Sequence, residues 1–282
     1  MVLSKVFSCR KYKAYPTLIL LFFIAFTTPI QAKNTELDNT SQRPLRVAVA
    51  TNFSLTLKTL LPTFSQQTGI KVEVISGSTG SLFQQLVHGA PFDIFLAADE
   101  IRPSHLVAQG FALKESQKTY TIGEIAFWSA DWKNATSKPS FAEIKQLLLN
   151  GQQKIAIANP KLAPYGKAAK AALIQQGLWQ AVNNRLITGI NIGQTFQQVR
   201  SRAVSLGIVA NSQLSQHNEA GVIIPQHLYP EIKQQLVIIK ASKQQTRAQQ
   251  LSNYLLSDGV QHQLNQQGYR TTTVQLLKVT EQ

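Results

Sequence analysis

The chain has 282 residues, with 28 Lys and Arg against 14 Asp and Glu, so its formal net charge is +14 at neutral pH. A cationic surface can attract anions, but the basic residues are scattered and match no recognised nucleic-acid-binding motif, which argues against nucleic acid as the partner. The single cysteine, Cys9, lies close to the N-terminus, so the rest of the chain has no disulfide, no thiol nucleophile and no cysteine for a lipid anchor.

The N-terminus has the pattern of a cleavable secretory signal. Basic residues precede an uninterrupted apolar run over residues 18–26, and the small residue Ala32 precedes Lys33. The apolar run is too short to span a bilayer comfortably, which favours cleavage over a retained anchor. We therefore expect residues 1–32 to be removed on export to the periplasm, which leaves a flexible polar leader over residues 33–43.

The first predicted strand, residues 46–50, is followed by two polar residues. Thr51 and Asn52 stand where the strand ends. Ligands of open α/β sheets collect outside the carboxyl ends of the strands, where a hydroxyl and an amide can donate to an oxyanion. A second interpretation is that Thr51 or Asn52 only caps the helix that follows, which is predicted to kink at Pro62.

A second donor-rich loop, Ser-Gly-Ser-Thr-Gly at residues 76–80, follows a strand predicted over residues 71–75. The loop begins a stretch with helical periodicity. A helix N-terminus offers free N–H groups and a partial positive charge, which are the physical basis of small-anion binding. A flexible Gly/Ser turn is the alternative interpretation. Residues 91–99 then supply a third buried strand with an acidic end.

The alternation of strands and helices continues in a second half of the chain. Further strands are predicted over residues 122–128, 154–158, 185–188, 206–210 and 236–239. Polar loops at residues 162–166 and 191–194 again begin helices, and two helices end the chain. This order predicts an α/β protein with parallel sheets.

We predict two hinged lobes, each a mostly parallel sheet flanked by helices. Lobe 1 is expected to comprise residues 44–122 plus 235–282, and lobe 2 to comprise residues 123–234. Two crossings between the lobes would form a hinge, and the cleft between the lobes would be lined by helix N-termini.

Taken in order, these loops resemble the periplasmic molybdate-binding proteins, which are the substrate-binding components of molybdate ABC importers. The resemblance is carried by the segments 50–53, 76–80, 89–95, 97–100, 159–160, 163–166 and 193–194. Each motif is weak alone, but their ordered combination, which extends over nearly the whole chain after the leader, is specific. The resemblance implies a two-lobed, hinged periplasmic binding protein that holds its oxyanion between the lobes.

The resemblance also implies which residues hold the oxyanion. Carried over position by position, the family pattern implicates Thr51, Asn52, Thr79, Tyr165 and the backbone N–H of Ile192. Some family members have Ala-Ala-Ser-Leu at the first loop, a pattern that Ser54 can mimic, so the first-loop donor stays open, as does a contact from Ser78. Family members commonly have Ser in place of Thr79, whose methyl group must fit a tight cavity. An aromatic residue at a helix start, such as Tyr165, is also commonly a packing residue.

The implied function is to bind molybdate, or tungstate, and to deliver it to the membrane permease of an ABC importer. The resemblance implies a monomer with no cofactor and no catalytic activity. Neutral donors suit a dianion, because each charge-assisted hydrogen bond contributes about 1.5–3 kcal/mol and no buried counter-charge must be desolvated. Phosphate near neutral pH often carries a proton, and a pocket without a carboxylate acceptor should therefore disfavour it.

Three other functions are weighed against this one. The main alternative is a carrier of sulfate or another tetrahedral oxyanion. A periplasmic hydrolase using Ser54, His88 and Asp93 is less favoured, because the chain has no Gly-x-Ser-x-Gly elbow. An adhesion or structural protein has no positive sign in the sequence. A metal-cation site is disfavoured because the histidines are dispersed, at His88, His105, His217, His227 and His262.

Overall fold

The computed structural model describes residues 43–134 and 137–271. The predicted signal over residues 1–32 and all but the last residue of the predicted leader lie outside these residues. Within the described ranges, no helix has both the length and the apolar character needed to cross a membrane.

Ten strands and ten helices make up the described chain. The strands are β1 (Leu45–Ala50), β2 (Val72–Gly77), β3 (Ile94–Leu96), β4 (Lys118–Gly123), β5 (Ile125–Trp128), β6 (Ile155–Ala158), β7 (Leu186–Gly189), β8 (Leu206–Ala210), β9 (Val222–Ile223) and β10 (Ile232–Ile238). The helices are α1 (Thr51–Thr68), α2 (Thr79–Val87), α3 (Ile101–Ala108), α4 (Phe141–Asn150), α5 (Pro164–Gln175), α6 (Trp179–Val182), α7 (Ile192–Arg200), α8 (Asn211–Gln216), α9 (Gln245–Leu255) and α10 (Asp258–Gln266).

The strands form two five-stranded sheets. The order in the first sheet is β2-β1-β3-β10-β4, and the order in the second is β7-β6-β8-β5-β9. In the first sheet β1 is parallel to β2 and β3, while β10 is antiparallel to β3 and β4. In the second sheet β6 is parallel to β7 and β8, and β5 is antiparallel to β8 and β9. The predicted α/β class with two mostly parallel sheets is confirmed.

The chain passes from the first sheet to the second between β4 and β5, and it returns to the first sheet ahead of β10. Residues 122–128 were expected to form one strand, but β4 ends at Gly123 in the first sheet and β5 begins at Ile125 in the second. The return strand β10 begins at Ile232, ahead of the expected crossing at residue 235. The run Lys233-Gln234-Gln235 hid the start of this strand, because a polar side chain is buried there among apolar ones.

Helix α1 shows how apolar spacing fixes a helix against its sheet. Phe53, Leu57, Leu60 and Phe64 recur at helical spacing and are buried in the core of the first sheet. The helix continues through Pro62 to Thr68, so the proline does not end it. Two edge-on aromatic contacts hold its first turn, with Phe53 lying 4.8 Å from the ring of Tyr120 and 5.6 Å from that of Tyr269.

Candidate functional site

Four helices begin around one small cavity between the two sheets. They are α1 and α2, which follow strands of the first sheet, and α5 and α7, which follow strands of the second. The cavity has a volume of about 10 Å³, room for about one water-sized sphere. Its lining residues are Ala50, Thr51, Asn52, Gly77, Ser78, Thr79, Ala98, Ala163, Pro164, Tyr165, Asn191 and Ile192. The structure thus brings together all five residues that the sequence singled out.

The helix N-termini differ in how their free N–H groups are used. The residues that precede α1 and α5, Ala50 and Ala163, provide no side-chain cap. The interpretation of Thr51 or Asn52 as the cap of α1 is therefore wrong, because the helix has already begun at Thr51. Uncapped first-turn N–H groups remain free to donate to an anion in the cavity.

Helices α2 and α7 have side-chain caps that satisfy only part of their first turn. Ser78 Oγ accepts from the N–H of Ser81 at 3.2 Å, and Asn191 Oδ1 accepts from the N–H of Gln194 at 2.9 Å. Ser78 therefore lines the cavity as a helix cap. Ile192 is the first residue of α7 and directly follows the cap residue Asn191. Because the Asn191 side chain accepts from Gln194, it does not accept from the N–H of Ile192.

The hydroxyl of Thr51 is already committed within the protein. Its Oγ1 donates to the carbonyl of Gly77 at 2.9 Å, which joins the end of β1 to the end of β2. The side chain of Thr51 therefore holds the two loops together, and its hydroxyl hydrogen is not free for a ligand in this structure. Its methyl group faces α7, where a Cβ on Gly193 would overlap it.

Thr79 has the opposite arrangement. Its Oγ1 accepts from the N–H of Ala98 at 3.0 Å, and the side chain is buried. The oxygen is held by that bond, while the hydroxyl hydrogen has no acceptor among the residues that the structure describes. Thr79 is therefore a fixed hydroxyl donor at the cavity wall.

Asn52 and Tyr165 bond to each other across the cleft, and both also bond to Gln234, a residue that sequence reasoning missed. Asn52 Nδ2 donates to Tyr165 Oη at 3.2 Å and to Gln234 Oε1 at 2.8 Å, and Gln234 Nε2 donates to Tyr165 Oη at 3.3 Å. Gln234 lies in β10, among neighbouring glutamines on a chain rich in that residue, and no motif marked it. The amide hydrogens of Asn52 are thus used inside the protein, and its buried Oδ1 has no partner in the described chain.

The phenol of Tyr165 is a neutral donor. Burial, reinforced by Tyr269, Tyr120, Tyr229 and Glu124 nearby, raises the pKa of the Tyr165 phenol well above its ordinary value. The hydroxyl therefore keeps its hydrogen throughout the neutral range.

The lining of the cavity carries no formal charge at any described position. A wider groove of about 530 Å³ lies beside it and shares Ala98, Ala163 and Pro164 with it. Charged residues line this groove, and several of them are already paired, Arg102 with Asp99 being one case. The small cavity is the stronger candidate for an anion site, because unpaired neutral donors meet there and not in the groove.

Contacts between the lobes hold the cleft shut in this structure. The N–H of Gly80 donates to the carbonyl of Leu162 at 2.8 Å. Arg102 donates to the carbonyl of Lys161 at 3.1 Å, and the hydroxyl of Thr56 bonds to the amide of Gln216. These bonds, like those of Tyr165, join segments of the first lobe to segments of the second.

The residues of the alternative hydrolase are not brought together. Ser54 lies on the fourth position of α1 and does not line the cavity. The Nδ1 atom of His88 bonds to the carbonyl of Gln84. Asp93 accepts from Arg43, Ser242 and Gln244.

The carboxyl group of Asp93 has a structural role. Burial alone would raise its pKa, but the hydrogen bonds from Arg43, Ser242 and the N–H of Arg46 outweigh burial and lower the pKa below its ordinary value. An ionised, fully bonded carboxylate is a poor proton acceptor. The described residues also contain no group of three or more His, Cys, Asp or Glu side chains placed to hold a metal ion.

A two-lobed α/β fold whose helix N-termini converge on an uncharged interlobe cavity defines a solute-binding protein. Residues 45–270 match the family described as bacterial extracellular solute-binding protein, and the chain belongs to that family.

The relatives identify the branch of the family. The molybdate-binding protein ModA of Azotobacter vinelandii is 36% identical over 231 residues, which are 80% of this chain and 89% of that protein. The molybdate-binding protein ModA of Rhodobacter capsulatus is 32% identical over 225 residues, 79% of this chain and 87% of that protein. The solved structure of the Azotobacter vinelandii periplasmic molybdate-binding protein superposes with a TM-score of 0.75 at 35% identity, covering 81% of this chain and 100% of that one. The resemblance predicted from the loops is confirmed.

The neutral state of Tyr165 predicts a change in alkaline stability. Because its folded pKa is raised, its contribution is fully present below the unfolded pKa of about 10 and is lost as the pH rises towards the folded value. We expect the free energy of unfolding, measured with denaturant from about pH 9 to 12, to fall less steeply in Tyr165→Phe than in the unmodified protein. The slopes of the two proteins should differ by at most about 1.4 kcal/mol per pH unit. Equal slopes would show that the phenol ionises normally in the fold.

Proposed function

We propose that this protein binds molybdate between its two lobes and delivers it to the membrane permease of an ABC importer. The observation that carries the proposal is the cavity where four helix N-termini meet neutral donors from both lobes. The molybdate-binding relatives, one of them similar over 80% of this chain, support molybdate as the solute.

The donors of the proposed site come from five positions. Thr51, Asn52 and Ile192 contribute backbone N–H groups at the first turns of α1 and α7. Thr79 and Tyr165 contribute hydroxyl groups. The geometry modifies the sequence prediction at Thr51 and Asn52, whose side chains are already bonded within the protein.

Neutral donors are sufficient to bind a dianion tightly. Each charge-assisted hydrogen bond contributes about 1.5–3 kcal/mol, and a nanomolar dissociation constant corresponds to about −12 kcal/mol. Five such bonds sum to about 7.5–15 kcal/mol before the cost of association is subtracted, which supports tight binding. No cationic side chain lines the cavity within the described residues, so no counter-charge has to be desolvated when the cleft closes.

The same donors favour an unprotonated tetrahedral dianion. Among the residues that the structure describes, no carboxylate lines the cavity, so a protonated phosphate finds no carboxylate acceptor there for its hydrogen. Tungstate has the charge and shape of molybdate and is expected to bind as well. Sulfate is smaller, and donors fixed for a larger anion would not all reach it.

The remaining features of the proposal concern how the protein works in the cell. We propose that the N-terminal segment directs export to the periplasm and is cleaved there, that the mature protein acts as a monomer, and that it catalyses no reaction. The uncharged cavity, the absence of Ser54 from its lining, and the separate bonding of His88 and Asp93 support a binding role over a hydrolytic one.

Calorimetric titration of the mature protein with molybdate, tungstate, sulfate and phosphate tests the proposed function. We expect molybdate and tungstate to bind at least about 100-fold more tightly than sulfate, since pocket fit alone discriminates by factors of this order. Phosphate should bind more weakly still. Equal affinity for sulfate and molybdate would favour the sulfate carrier, and no heat with any of the four would reject an oxyanion carrier.

Two substitutions of Thr79 separate its hydroxyl from its shape. Thr79→Val keeps the volume but removes the donor, and we expect the affinity for molybdate to fall by about tenfold to 100-fold. Thr79→Ser keeps the donor and should retain nearly all of the affinity. Comparable losses in the two variants would mean that packing of the methyl group matters, and the hydroxyl does not.

The contact between Thr51 and Gly193 predicts that a substitution in one lobe can compensate for a substitution in the other. A Cβ at residue 193 would overlap Cγ2 of Thr51, so Gly193→Ala should hinder closure and weaken molybdate binding by about tenfold. Thr51→Ser removes that methyl group and keeps the hydroxyl that donates to Gly77.

The combination of the two substitutions is the decisive measurement. We expect Thr51→Ser alone to bind nearly normally and to restore affinity when combined with Gly193→Ala. A double variant as weak as Gly193→Ala would show that the lobes do not close through this contact.

A further inference from the structure

A fully buried polar side chain contacts two of the residues that line the cavity without lining it itself. Gln234 lies in β10 of the first sheet and is 0% exposed. Burying an amide without hydrogen bonds is costly, and its neighbours in β10 include the fully buried Leu236 and Val237. An apolar residue would fill this position at lower cost, so the bonds that Gln234 makes have to explain its presence.

Each hydrogen bond of Gln234 has a defined direction. Its Oε1 accepts from Asn52 at 2.8 Å. The hydroxyl of Tyr120 lies 3.3 Å from the same oxygen, but its one hydrogen is shared with the carbonyl of Ala97 at 3.2 Å. The Nε2 atom of Gln234 donates to Tyr165 Oη at 3.3 Å. The bond from Asn52 therefore sets the orientation of the amide, so that an N–H and not a carbonyl oxygen points at the phenol.

This orientation determines where the hydrogen of the Tyr165 phenol can go. The phenol oxygen accepts from both Gln234 and Asn52, which occupies both of its lone pairs. No described residue accepts the phenol hydrogen, and Tyr165 is among the residues that line the cavity. A carbonyl oxygen in place of the Gln234 N–H would take that hydrogen away from the cavity.

The backbone of β4 restricts the phenol from a third side. A Cβ on Gly123 would overlap the Tyr165 hydroxyl, so the ring can occupy this position only because residue 123 has no side chain. The phenol oxygen is therefore confined between a glycine and two amide donors.

We propose that Gln234 is a positioning residue for oxyanion binding, which aims the phenol hydrogen of Tyr165 at the ligand. Gln234 and Asn52 belong to the first lobe and Tyr165 to the second, so the phenol is oriented only when the lobes are closed. Closure and the creation of a donor are then one event. This inference rests on the proposed function, because it assigns a role within the same oxyanion site.

A double-mutant cycle on molybdate affinity tests the inference. Gln234→Met keeps the length of the side chain and removes both polar atoms, and we expect it to weaken binding by about tenfold. In a Tyr165→Phe background the same substitution should have almost no further effect, since the hydroxyl it orients is gone. A merely structural role would lower affinity by the same factor in both backgrounds.

The next residue supplies the matched control. Gln235 lies on the same strand, and its side chain bonds to Gln117 and Thr119 away from the cavity. Gln235→Met should leave molybdate affinity unchanged. If Gln234→Met does not fold, as judged by circular dichroism, Gln234→Asn replaces it in the cycle, because the shorter amide is withdrawn from the phenol without loss of polarity.

The outcomes separate this inference from the proposed function. If the unmodified protein does not bind molybdate, the proposed function fails. If it binds molybdate and the effects of the Gln234 and Tyr165 substitutions are additive, the function stands and the positioning role of Gln234 is overturned. Coupling between the two substitutions, with Gln235→Met unaffected, supports the positioning role.

Discussion

The cavity depends on the parallel pairing of strands in each sheet. Parallel strands end at the same edge of a sheet, so the helices that follow them begin side by side. In the first sheet Ala50 pairs with Gly77, which places the starts of α1 and α2 next to each other. In the second sheet Ala158 pairs with Gly189, which does the same for the segments that lead into α5 and α7. An antiparallel arrangement of these strands would send the helix N-termini to opposite edges.

Buried polar groups between the lobes make closure specific. Asn52, Gln234 and Tyr165 are buried, and the bonds of Asn52 and Gln234 to Tyr165 cross the cleft. In an open cleft each of these groups would be hydrated, so the net gain from pairing them is modest. The cost of leaving them unpaired in a closed cleft is larger, because a buried amide or hydroxyl without a partner loses its hydration for nothing. A closed arrangement that leaves these groups unpaired therefore loses more free energy than the correctly paired arrangement gains.

Sequence alone predicted the parts of the site that lie at strand ends. The loops around Thr51, Thr79 and Ile192 follow apolar strands, and the period-2 and helical patterns on either side placed them at helix starts. What a side chain does there depends on tertiary contacts that no local pattern contains. Thr51 and Thr79 have the same hydroxyl, yet one donates to a carbonyl and the other accepts from an N–H.

Gln234 shows a different limit of the sequence. A glutamine between Lys233 and Gln235 has the composition of an exposed strand edge, and the same composition misplaced the start of β10. Only the fold shows that alternate positions of this strand face the core, so that Gln234 is buried while its neighbours are more exposed. A residue that supports a site from a distant strand lies at no characteristic sequence distance from the loops that it contacts, so no motif identifies it.

Close approach of the lobes requires positions without side chains. Gly80 donates its N–H across the cleft to Leu162, Gly123 leaves room for the Tyr165 phenol, and Gly193 lies against the methyl group of Thr51. At each of these contacts the backbone of one lobe meets backbone or side-chain atoms of the other, so the separation of the lobes is fixed by close packing. A cavity bounded in this way cannot shrink around a smaller anion or widen around a larger one without breaking these contacts. Selection by anion size thus follows from how far the lobes can close, while the donors in the cavity select for charge and protonation.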